Sequence, residues 1–584
     1  MLQLTRITQL SSLPTTTQTL EEAPDYLSRL APELLAKIIS YLPQTAQQQL
    51  ALTCRSFYPL VRATSVASFN RFLKKNLNTL PTFANITHLH LPEDKPIAVP
   101  TWKLLKNKFP NIRALRCVPP TPGTLATTFP ALTHLSTPSL ASLPPSLDHL
   151  HLEDPTNFTA SNPDLFKNTS TLRSFSLKIS QLSSLAFLAS LENVTSLSLE
   201  VTNSAQTPLI TAPLNGLKKL TTLKVTGNLK EVIAHLQYMP QLETLVLEHP
   251  SAGTDFTPLL SLKNLKRLAI LISPDLQDLA FIKEMPELKY LKISHCPQLK
   301  NVQALVCLDK IIYLDLSHNF ELSDILALAT LTQLRSLNLE WCSSLEDISP
   351  LQSLTELTEL KLNHNSKIKN ITPLNPLSKL QKLELDQVNG ATNIDLKHWP
   401  LLAHLNLAHC MMNYRSLTLS NLNQLTYLRE LSLTGRRNLD LSGLLLLKNL
   451  SFIDLSDTGF SDADLAILPS TISSLHLEEC SKVTHVANWP SKFPLLNEVN
   501  LQGCHIQDFR PLKNLPHLER LMLGSGGKFG GKKKDAEEQL ASHPSIQVVY
   551  GNIVERTRQE EEKYKALKAA AYQTVDKQLQ SLWH

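Results

Sequence analysis

The stretch LKYLKISHC, residues 288–296, is repeated three times downstream with the same placement of apolar residues. The copies are IIYLDLSHN (311–319), LRSLNLEWC (334–342) and LTELKLNHN (357–365). In every copy positions 1, 4 and 6 are apolar, and position 9 is Asn or Cys. The position-4 residues stand 23 residues apart, at Leu291, Leu314, Leu337, Leu360 and Leu383. A fixed period of this length predicts a stack of equivalent structural units.

The phrase LxxLxLxxN/C resembles the leucine-rich repeat. That resemblance implies an α/β solenoid in which each repeat adds one short strand to a parallel sheet, with the residues at positions 4 and 6 filling the core. Position-4 residues are spaced by 22 to 26 from Leu150 to Leu521, and the period degrades between Pro119 and Pro145. The sequence therefore predicts a curved array of about 18–20 repeats over residues 80–525, with its parallel sheet on the concave face.

The segments between the predicted strands are short. DISPLQSL (347–354), NITPLNPL (370–377) and DFRPLKNL (508–515) resemble the internalin-like subclass of these repeats. That resemblance implies 3₁₀ or brief helical turns on the side opposite the sheet. FSDADLAILP (460–469) is closer to the cysteine-containing subclass, so the array is expected to be mixed.

Composition argues against several function classes. The chain of 584 residues has a formal net charge of +5, which gives no reason to expect a nucleic-acid or membrane partner. No apolar run is long enough to span a bilayer, and the N-terminus lacks the apolar core of a secretory signal. We therefore expect a protein that acts in the cytoplasm, and a nuclear location is also compatible with the sequence.

The cysteines follow the repeat and form no reactive motif. Of the eight, five occupy position 9: Cys296, Cys342, Cys410, Cys480 and Cys504. A thiol at that position is expected to lie inside the turn against backbone groups, as a structural thiol of a reducing compartment. The sequence has no CxxC pair and no Cys/His spacing typical of a zinc site, so we expect no metal and no cofactor.

The N-terminal residues differ in character from the array. Residues 1–24 are rich in Ser, Thr, Gln and Pro, which predicts disorder. Residues 25–70 then carry apolar residues at helical spacing, with Pro32 and Glu33 in a first turn and Pro43 ending the helix. A second apolar set over residues 50–61 predicts another helix or two.

This segment resembles the F-box, the short helical motif that docks on the Skp-type adaptor of cullin-RING ubiquitin ligases. The resemblance rests on a Leu–Leu pair, an Ile–Ile pair, a Leu–Pro stop and a Cys–Arg–x–Phe step. It implies that the adaptor is bound by Pro32, Leu34, Leu35, Ile38, Ile39, Leu42, Leu52, Cys54 and Phe57. Pro32 directly precedes Glu33, and Gln residues at 47–49 replace the usual Asp, which favours weakened docking over none. A plain helical cap over the first repeat is the alternative.

Specificity in such an array is expected on the concave face, where positions 3, 5, 7 and 8 point to solvent and are free of the fold. This row is polar and of mixed sign, and it becomes more acidic from Glu340 onward. It includes one tryptophan, and aromatic residues often become binding hot spots. The candidate target-binding residues are Lys292, Asp315, Asn338, Glu340, Trp341, Lys361, Glu384, Asp386, Asp454 and His476. Each of them, taken singly, is equally compatible with a solvated sheet residue.

Four histidines share position 8: His295, His318, His364 and His409. Stacked strands bring neighbouring copies to roughly 5 Å, so His295 and His318 are expected to approach each other. No carboxylate or thiolate recurs around them to complete a ligand set, so metal binding is not expected.

Two segments follow the last repeat. Residues 526–536 are rich in Gly and Lys and nearly match a Walker A loop, but Lys533 stands in the Ser/Thr place and no βαβ unit surrounds it, so nucleotide binding is rejected. Residues 537–584 predict a cap that comprises a final strand, IQVVYGN (546–552), and an amphipathic helix from about residue 554.

The acidic run at 560–562 resembles the glutamate-rich export signal of type IV-secreted bacterial effectors. An F-box on internalin-like repeats fits such an effector, acting in a host cytosol.

Two function classes follow from these patterns. The first is a substrate-recruiting adaptor of an SCF-type (cullin-RING) ubiquitin ligase, whose partners are a Skp-type adaptor, the cullin ligase core and an unidentified target protein. The second is a non-enzymatic interaction scaffold whose N-terminal helices only cap the solenoid. An enzyme resembling the bacterial leucine-rich-repeat ubiquitin ligases is not expected, and no catalytic residue is assigned, because the last cysteine, Cys504, lies inside a repeat.

Overall fold

The computed structural model describes the chain almost continuously from residue 230 to residue 524, except at 392, 410–417, 437–438 and 440. It also describes shorter stretches between residues 88 and 227, and residues 536, 538–540 and 546–551. The predicted disorder of residues 1–24, the helices of residues 25–70, most of the Gly/Lys-rich segment and the C-terminal helix lie outside the described residues. The chain divides into two compact units, residues 1–235 and 236–584.

In the first unit, the strands pair in parallel and in chain order. They are β1 (His88–His90), β2 (Ala114–Arg116), β3 (His134–Ser139), β4 (His149–Thr156), β5 (Ser174–Ile179), β6 (Ser196–Val201) and β7 (Thr222–Thr226), followed by the helix α1 (Lys230–Ala234). Position-4 residues lie opposite one another, as Leu135 and Leu150 do. β3 lies where the sequence period degrades, and it still pairs with β2 and β4.

The second unit contains the most regular repeats. Its strands are β8 (Thr244–Glu248), β9 (Arg267–Leu271), β10 (Tyr290–Ser294), β11 (Tyr313–Asp315), β12 (Ser336–Asn338), β13 (Glu359–Lys361), β14 (Lys382–Glu384), β15 (Asn393–Asp395), β16 (His404–Asn406), β17 (Thr418–Ser420), β18 (Glu430–Ser432), β19 (Phe452–Asp454), β20 (Ser474–His476), β21 (Glu498–Asn500), β22 (Arg520–Gly524) and β23 (Gln547–Gly551). The short helix α2 (Trp489–Lys492) lies between β20 and β21.

These strands pair in parallel from β8 to β23 in chain order, except that β15 and β17 pair with each other. Leu291 lies opposite Leu268 on one side and Leu314 on the other, so position 4 keeps its register from repeat to repeat. The predicted leucine-rich-repeat solenoid, with one parallel strand per repeat, is confirmed. The final strand predicted at 546–552 is also present, as β23.

Short 3₁₀ turns connect the strands on the other side of the core. They are His235–Tyr238, Thr257–Ser261, Ala280–Glu284, Gln303–Cys307, Leu326–Thr330, Ser349–Ser353, Thr372–Leu374, Leu396–His398, Leu422–Gln424, Ser442–Leu446, Asp462–Ile467 and Arg510–Asn514. The three segments that resemble the internalin-like subclass form such turns, as predicted. In one of them the Asp347 carboxylate accepts the Ser349 N–H at 2.8 Å, and Pro350 follows, which has no N–H to satisfy.

The core is a column of leucines between the strands and the turns. Leu288, Leu291 and Ile293, at positions 1, 4 and 6 of one repeat, are fully buried. Burying a side chain of this size stabilises the fold by about 1.5–3 kcal/mol relative to leaving it exposed. Trp399 also lies in the core, where its indole N–H donates to the Leu374 carbonyl at 2.9 Å.

In several repeats the position-9 side chain links the repeat to the one before it. The amide nitrogen of Asn319 donates to the carbonyl of Ile293 in the preceding repeat and to the carbonyl of Leu316 in its own, at 2.8 and 2.7 Å. Its amide oxygen accepts the Cys296 N–H at 2.9 Å. One fully buried side chain thus satisfies three backbone groups, each of which would be costly to bury without a partner.

Other position-9 residues make the same bond to position 6 of the preceding repeat, and they include Cys and Arg as well as Asn. The acceptor carbonyls are Leu316 for Cys342, Leu339 for Asn365, Leu407 for Arg436, Leu455 for Cys480 and Leu477 for Cys504. The predicted contact of position-9 thiols with backbone groups is confirmed for the described residues, which do not include Cys410. Arg436 was not expected there, because the repeat pattern calls for Asn or Cys.

Shortening the position-9 side chain should destabilise the solenoid in proportion to the bonds it removes. We expect Asn319→Ala to lower the free energy of unfolding by about 2–4 kcal/mol, because it removes three hydrogen bonds to buried backbone groups. Asn319→Cys should fall between wild type and Ala, since a thiol can still reach a carbonyl. Chemical unfolding followed by circular dichroism measures this. Gln333→Ala, at an exposed turn residue, is the control; equal losses for Asn319→Ala and Gln333→Ala would contradict the assignment.

Candidate protein-interaction surface

The sheet face consists of the side chains at positions 3, 5, 7 and 8 of the repeats from β8 to β22. Nine of the ten candidate target-binding residues are exposed or half-buried there. They are Lys292, Asn338, Glu340, Trp341, Lys361, Glu384, Asp386, Asp454 and His476. The structure thus brings these candidates together on one surface, while whether they contact a target stays a prediction.

Asp315 departs from the expectation that position 5 points to solvent. Its side chain is 2% exposed, and its carboxylate lies 2.8 Å from the ammonium group of Lys292. The same carboxylate accepts the Ser317 N–H at 2.9 Å. Neighbouring side chains cover Asp315 on the sheet face, so the prediction that it is exposed to solvent was wrong, while its contact with a target stays a prediction.

The two charges of this pair stabilise each other. Burial would raise the pKa of Asp315, but the Lys292 ammonium and the Ser317 hydrogen bond hold that pKa below its usual value. Burial would lower the pKa of Lys292, but the Asp315 carboxylate raises it above its usual value. The aromatic rings of Tyr290 and Tyr313 stack on the same two strands, with centroids 4.3 Å apart.

A carboxylate and amide network occupies the middle of the sheet face. The Asn363 amide donates to Glu340 at 2.6 Å and to Glu384 at 2.7 Å. Burial raises the pKa of Glu340 above its usual value. Burial acts in the same direction on Glu384, but Lys361 and Lys382 hold its pKa below the usual value. Two carboxylates bridged by one amide therefore concentrate negative charge at this point.

Histidines pair with carboxylates farther along the face. His404 lies 2.6 Å from Glu430, and His409 lies 3.2 Å from Asp386. His476 lies 3.4 Å from Glu498, which also contacts an arginine of β22. These contacts leave the carboxylates on the surface while fixing their orientation.

Position 8 adopts a left-handed backbone conformation in successive repeats, which the sequence reasoning missed. The φ angles are positive at His249, Ile272, His295, His318, Trp341, His364, Gln387, His409, Asp457 and Glu479. Glycines hold the same position at Gly227, Gly435 and Gly503, with φ of 101°, 72° and 73°. Their recurrence at position 8 was the available signal, because glycine is the residue that adopts this conformation most readily. The conformation lines up the position-8 side chains along one margin of the sheet face.

Four of these side chains form an aromatic stack. The ring centroids of His295 and His318 are 4.0 Å apart, as are those of Trp341 and His364. Burial and the neighbouring His295 lower the pKa of His318 to about 4, so its ring is neutral at physiological pH. Trp341 stays 40% exposed, and it presents a flat aromatic surface next to Glu340.

The stacked histidines do not form a recognisable metal site. Across the part of the chain that the structure describes, no three His, Cys, Asp or Glu side chains are arranged to hold a metal ion. The described residues also include no helix that is both long and apolar enough to cross a membrane.

Comparison with known proteins identifies the N-terminal segment. Residues 27–66 match the family model of the F-box domain. This match contains all nine candidate adaptor-binding residues, from Pro32 to Phe57, which lie outside the described residues. No curated protein sequence matches the chain significantly.

Solved structures with similarity to the chain include leucine-rich-repeat proteins. An internalin from Listeria monocytogenes is 23% identical, with coverage of 62% of this chain and 91% of that one and a TM-score of 0.37. A leucine-rich-repeat protein from Leptospira interrogans is 17% identical, with coverages of 82% and 98% and a TM-score of 0.36. TLR13, in its complex with ssRNA13, is 18% identical, with coverages of 81% and 79% and a TM-score of 0.49. Nothing further about this chain is inferred from these three proteins.

Removing one partner of the buried pair should cost more than removing both. We expect Lys292→Met to lower the free energy of unfolding by about 3–5 kcal/mol at pH 7, because Asp315 is left charged and buried. Lys292→Met/Asp315→Leu should recover most of that loss. Unfolding in urea, followed by circular dichroism, compares the two variants.

The pH dependence of this difference has a defined sign. The contribution of Asp315 is present above its unfolded pKa of about 3.9 and is lost as pH falls through its lowered folded pKa. The contribution of Lys292 is present below about pH 10.4 and is lost as pH rises through its raised folded pKa. A double variant as unstable as Lys292→Met would contradict the pairing.

Proposed function

We propose that this chain, a leucine-rich-repeat protein with an F-box domain at residues 27–66, recruits a target protein to an SCF-type (cullin-RING) ubiquitin ligase. The F-box match is the observation that carries the proposal. F-box domains generally bind Skp-type adaptors, and repeats of this kind generally bind proteins. The two modules in one chain provide one site for the ligase and another for a target.

The residues that build the fold differ from the residues that are available for binding. Positions 1, 4, 6 and 9 build the core and the links between repeats, while the sheet face carries charged and aromatic side chains with exposed surface. Trp341, at 40% exposure beside the Glu340 network, has the character of a binding hot spot. In this proposal the sheet face holds the target, and residues 27–66 hold the Skp-type adaptor.

The proposed role requires no chemistry from this chain. Among the described cysteines, Cys296 and Cys342 are fully buried, and burial raises the pKa of each to about 12. A thiol with such a pKa is protonated at neutral pH and is a poor nucleophile. Ubiquitin transfer would then be performed by the ubiquitin-conjugating enzyme bound to the ligase, acting on lysines of the recruited target.

The proposed place of action is the cytoplasm, and the host cytosol if the chain is a bacterial effector. Both locations supply a cullin ligase and keep the position-9 thiols reduced.

Adaptor binding should depend on the F-box residues and not on the sheet face. We expect purified wild-type protein to retain a Skp-type adaptor at micromolar concentration in a pull-down. Leu34→Ala/Leu35→Ala should reduce retention at least tenfold, because two apolar anchors are removed. Trp341→Ala, on the sheet face, is the matched control and should bind the adaptor like wild type. Absence of adaptor binding by the wild-type protein would overturn the proposal.

The scaffold alternative differs in what the N-terminal helices stabilise. If residues 25–70 form an F-box, deleting residues 1–75 should leave the solenoid folded, with circular dichroism and an unfolding midpoint close to wild type. If the helices only cap the first repeat, the deletion should unfold the array, because its open core is exposed to water. The second outcome, together with absent adaptor binding, would favour the scaffold.

A further inference from the structure

The sheet face has a charge opposite to that of the chain as a whole. The whole chain carries a formal charge of +5. Among the described strands from β12 to β21, the sheet face instead holds ten carboxylates and two lysines. The carboxylates are Glu340, Glu359, Glu384, Asp386, Glu430, Asp454, Asp457, Glu478, Glu479 and Glu498, and the lysines are Lys361 and Lys382.

The imbalance is greatest toward β21. Both lysines lie on β13 and β14, so the repeats of β18 to β21 present six carboxylates and, at described sheet-face positions, no lysine or arginine. Glu430, Asp457 and Glu479 are exposed. The Glu479 carboxylate extends over the next repeat, where a Cβ added at Gly503 would lie only 2.6 Å from it. A surface with this excess of carboxylates favours a cationic partner.

An aromatic platform stands at the other end of the same face. Trp341 and His364 stack with centroids 4.0 Å apart, and Trp341 directly follows the half-buried, amide-bridged Glu340. An aromatic ring flanked by a carboxylate is a suitable binding site for a guanidinium or ammonium group. Such a group is attracted both by the ring and by the negative charge of the carboxylate. This feature is separate from the six carboxylates of the β18 to β21 repeats, and it selects the same class of partner.

The dimensions fit an extended peptide. The strands from β12 to β21 are neighbours in the sheet apart from β15 and β17, which pair with each other. Seven steps of about 4.8 Å make roughly 34 Å. An extended chain rises about 3.3 Å per residue, so about ten residues cover this distance. Nucleic acid is disfavoured, because its phosphates would face the carboxylates.

We propose that the sheet face from β12 to β21 binds an extended lysine- and arginine-rich segment of the target protein. One basic side chain lies against Trp341, and others face the carboxylates of the β18 to β21 repeats. This inference rests on the proposed function, since it names the chemistry of the recruited target.

Peptide binding to the full-length chain tests this directly. The probe is a fluorescein-labelled 12-residue peptide that alternates Arg or Lys with Ser or Gly, and its matched control has Gln in place of every basic residue. Fluorescence anisotropy should show binding of the basic peptide that weakens at least tenfold between 50 and 300 mM salt. The Gln peptide should bind at least thirtyfold more weakly. Equal affinity for the two peptides, or binding of neither, would overturn the inference.

Matched variants separate the sheet face from general charge attraction. Glu430→Gln/Asp457→Asn/Glu479→Gln removes three exposed carboxylates from the face, and we expect at least tenfold weaker peptide binding. Glu284→Gln/Glu321→Gln/Glu346→Gln removes the same charge from exposed positions off the face and should change binding less than twofold. If the two triple variants lose peptide affinity equally, the peptide is attracted by the overall charge of the protein and not by the sheet face, which would contradict the proposal. Trp341→Ala should also weaken binding, and circular dichroism confirms that each variant is folded.

This chain itself contains a basic segment, at Lys528 and residues 532–534, which could compete with a target segment for the sheet face. Replacing its four lysines with Gln should leave peptide affinity equal or higher. If the peptide binds only after this replacement, the sheet face binds the chain's own segment, and the proposal of a target segment is overturned.

Failure of peptide binding with intact adaptor binding would refute this inference and leave the proposed function standing. Peptide binding without adaptor binding would refute the adaptor role and leave this inference standing.

Discussion

The hydrogen bond from position 9 to the position-6 carbonyl of the preceding repeat fixes how six of the described repeats sit on their neighbours. Hydrophobic burial alone does not fix how one repeat sits on the next, because leucines pack in many registers. The buried Asn319 amide permits one register, since it must reach Ile293 behind it and Leu316 in its own turn. Cys342 makes the same bond with its thiol, and Arg436 makes it with a guanidinium. These repeats therefore share a donor at a fixed point rather than one residue type, whereas Pro250 and Val388 place no donor at position 9.

That constraint also creates the sheet face. With positions 1, 4, 6 and 9 committed to the core and the turns, the remaining strand positions are free to carry polar residues. Position 8 then leaves the strand in a left-handed conformation, at some cost in backbone energy for residues such as Trp341 and His364. Their stacking at 4.0 Å accompanies this geometry. The same turn geometry that ends each strand thus produces the row of side chains that we assign to recognition.

The sequence was sufficient to predict the fold because the same spacing of apolar residues recurs in every regular repeat. The spacing of Leu291 and Leu314 predicted strands that are paired residue by residue in the structure. It was insufficient for Asp315, because periodicity tells which way a strand residue points and not whether a neighbour such as Lys292 buries it. It also missed the left-handed position 8, although Gly435 and Gly503 stand in that place. The F-box segment was recognised from its residues, and the family match at 27–66 agrees with it.

In the proposed function, ligase binding and target binding reside in separate parts of the chain. Affinity purification from a eukaryotic cell, with the cullin and the co-purifying target quantified together, tests it most directly. Wild-type protein should recover both. Leu34→Ala/Leu35→Ala should lose the cullin and keep the target, whereas Glu430→Gln/Asp457→Asn/Glu479→Gln should keep the cullin and lose the target. Recovery of no cullin by wild type, or joint loss of both partners in either folded variant, would contradict the claim.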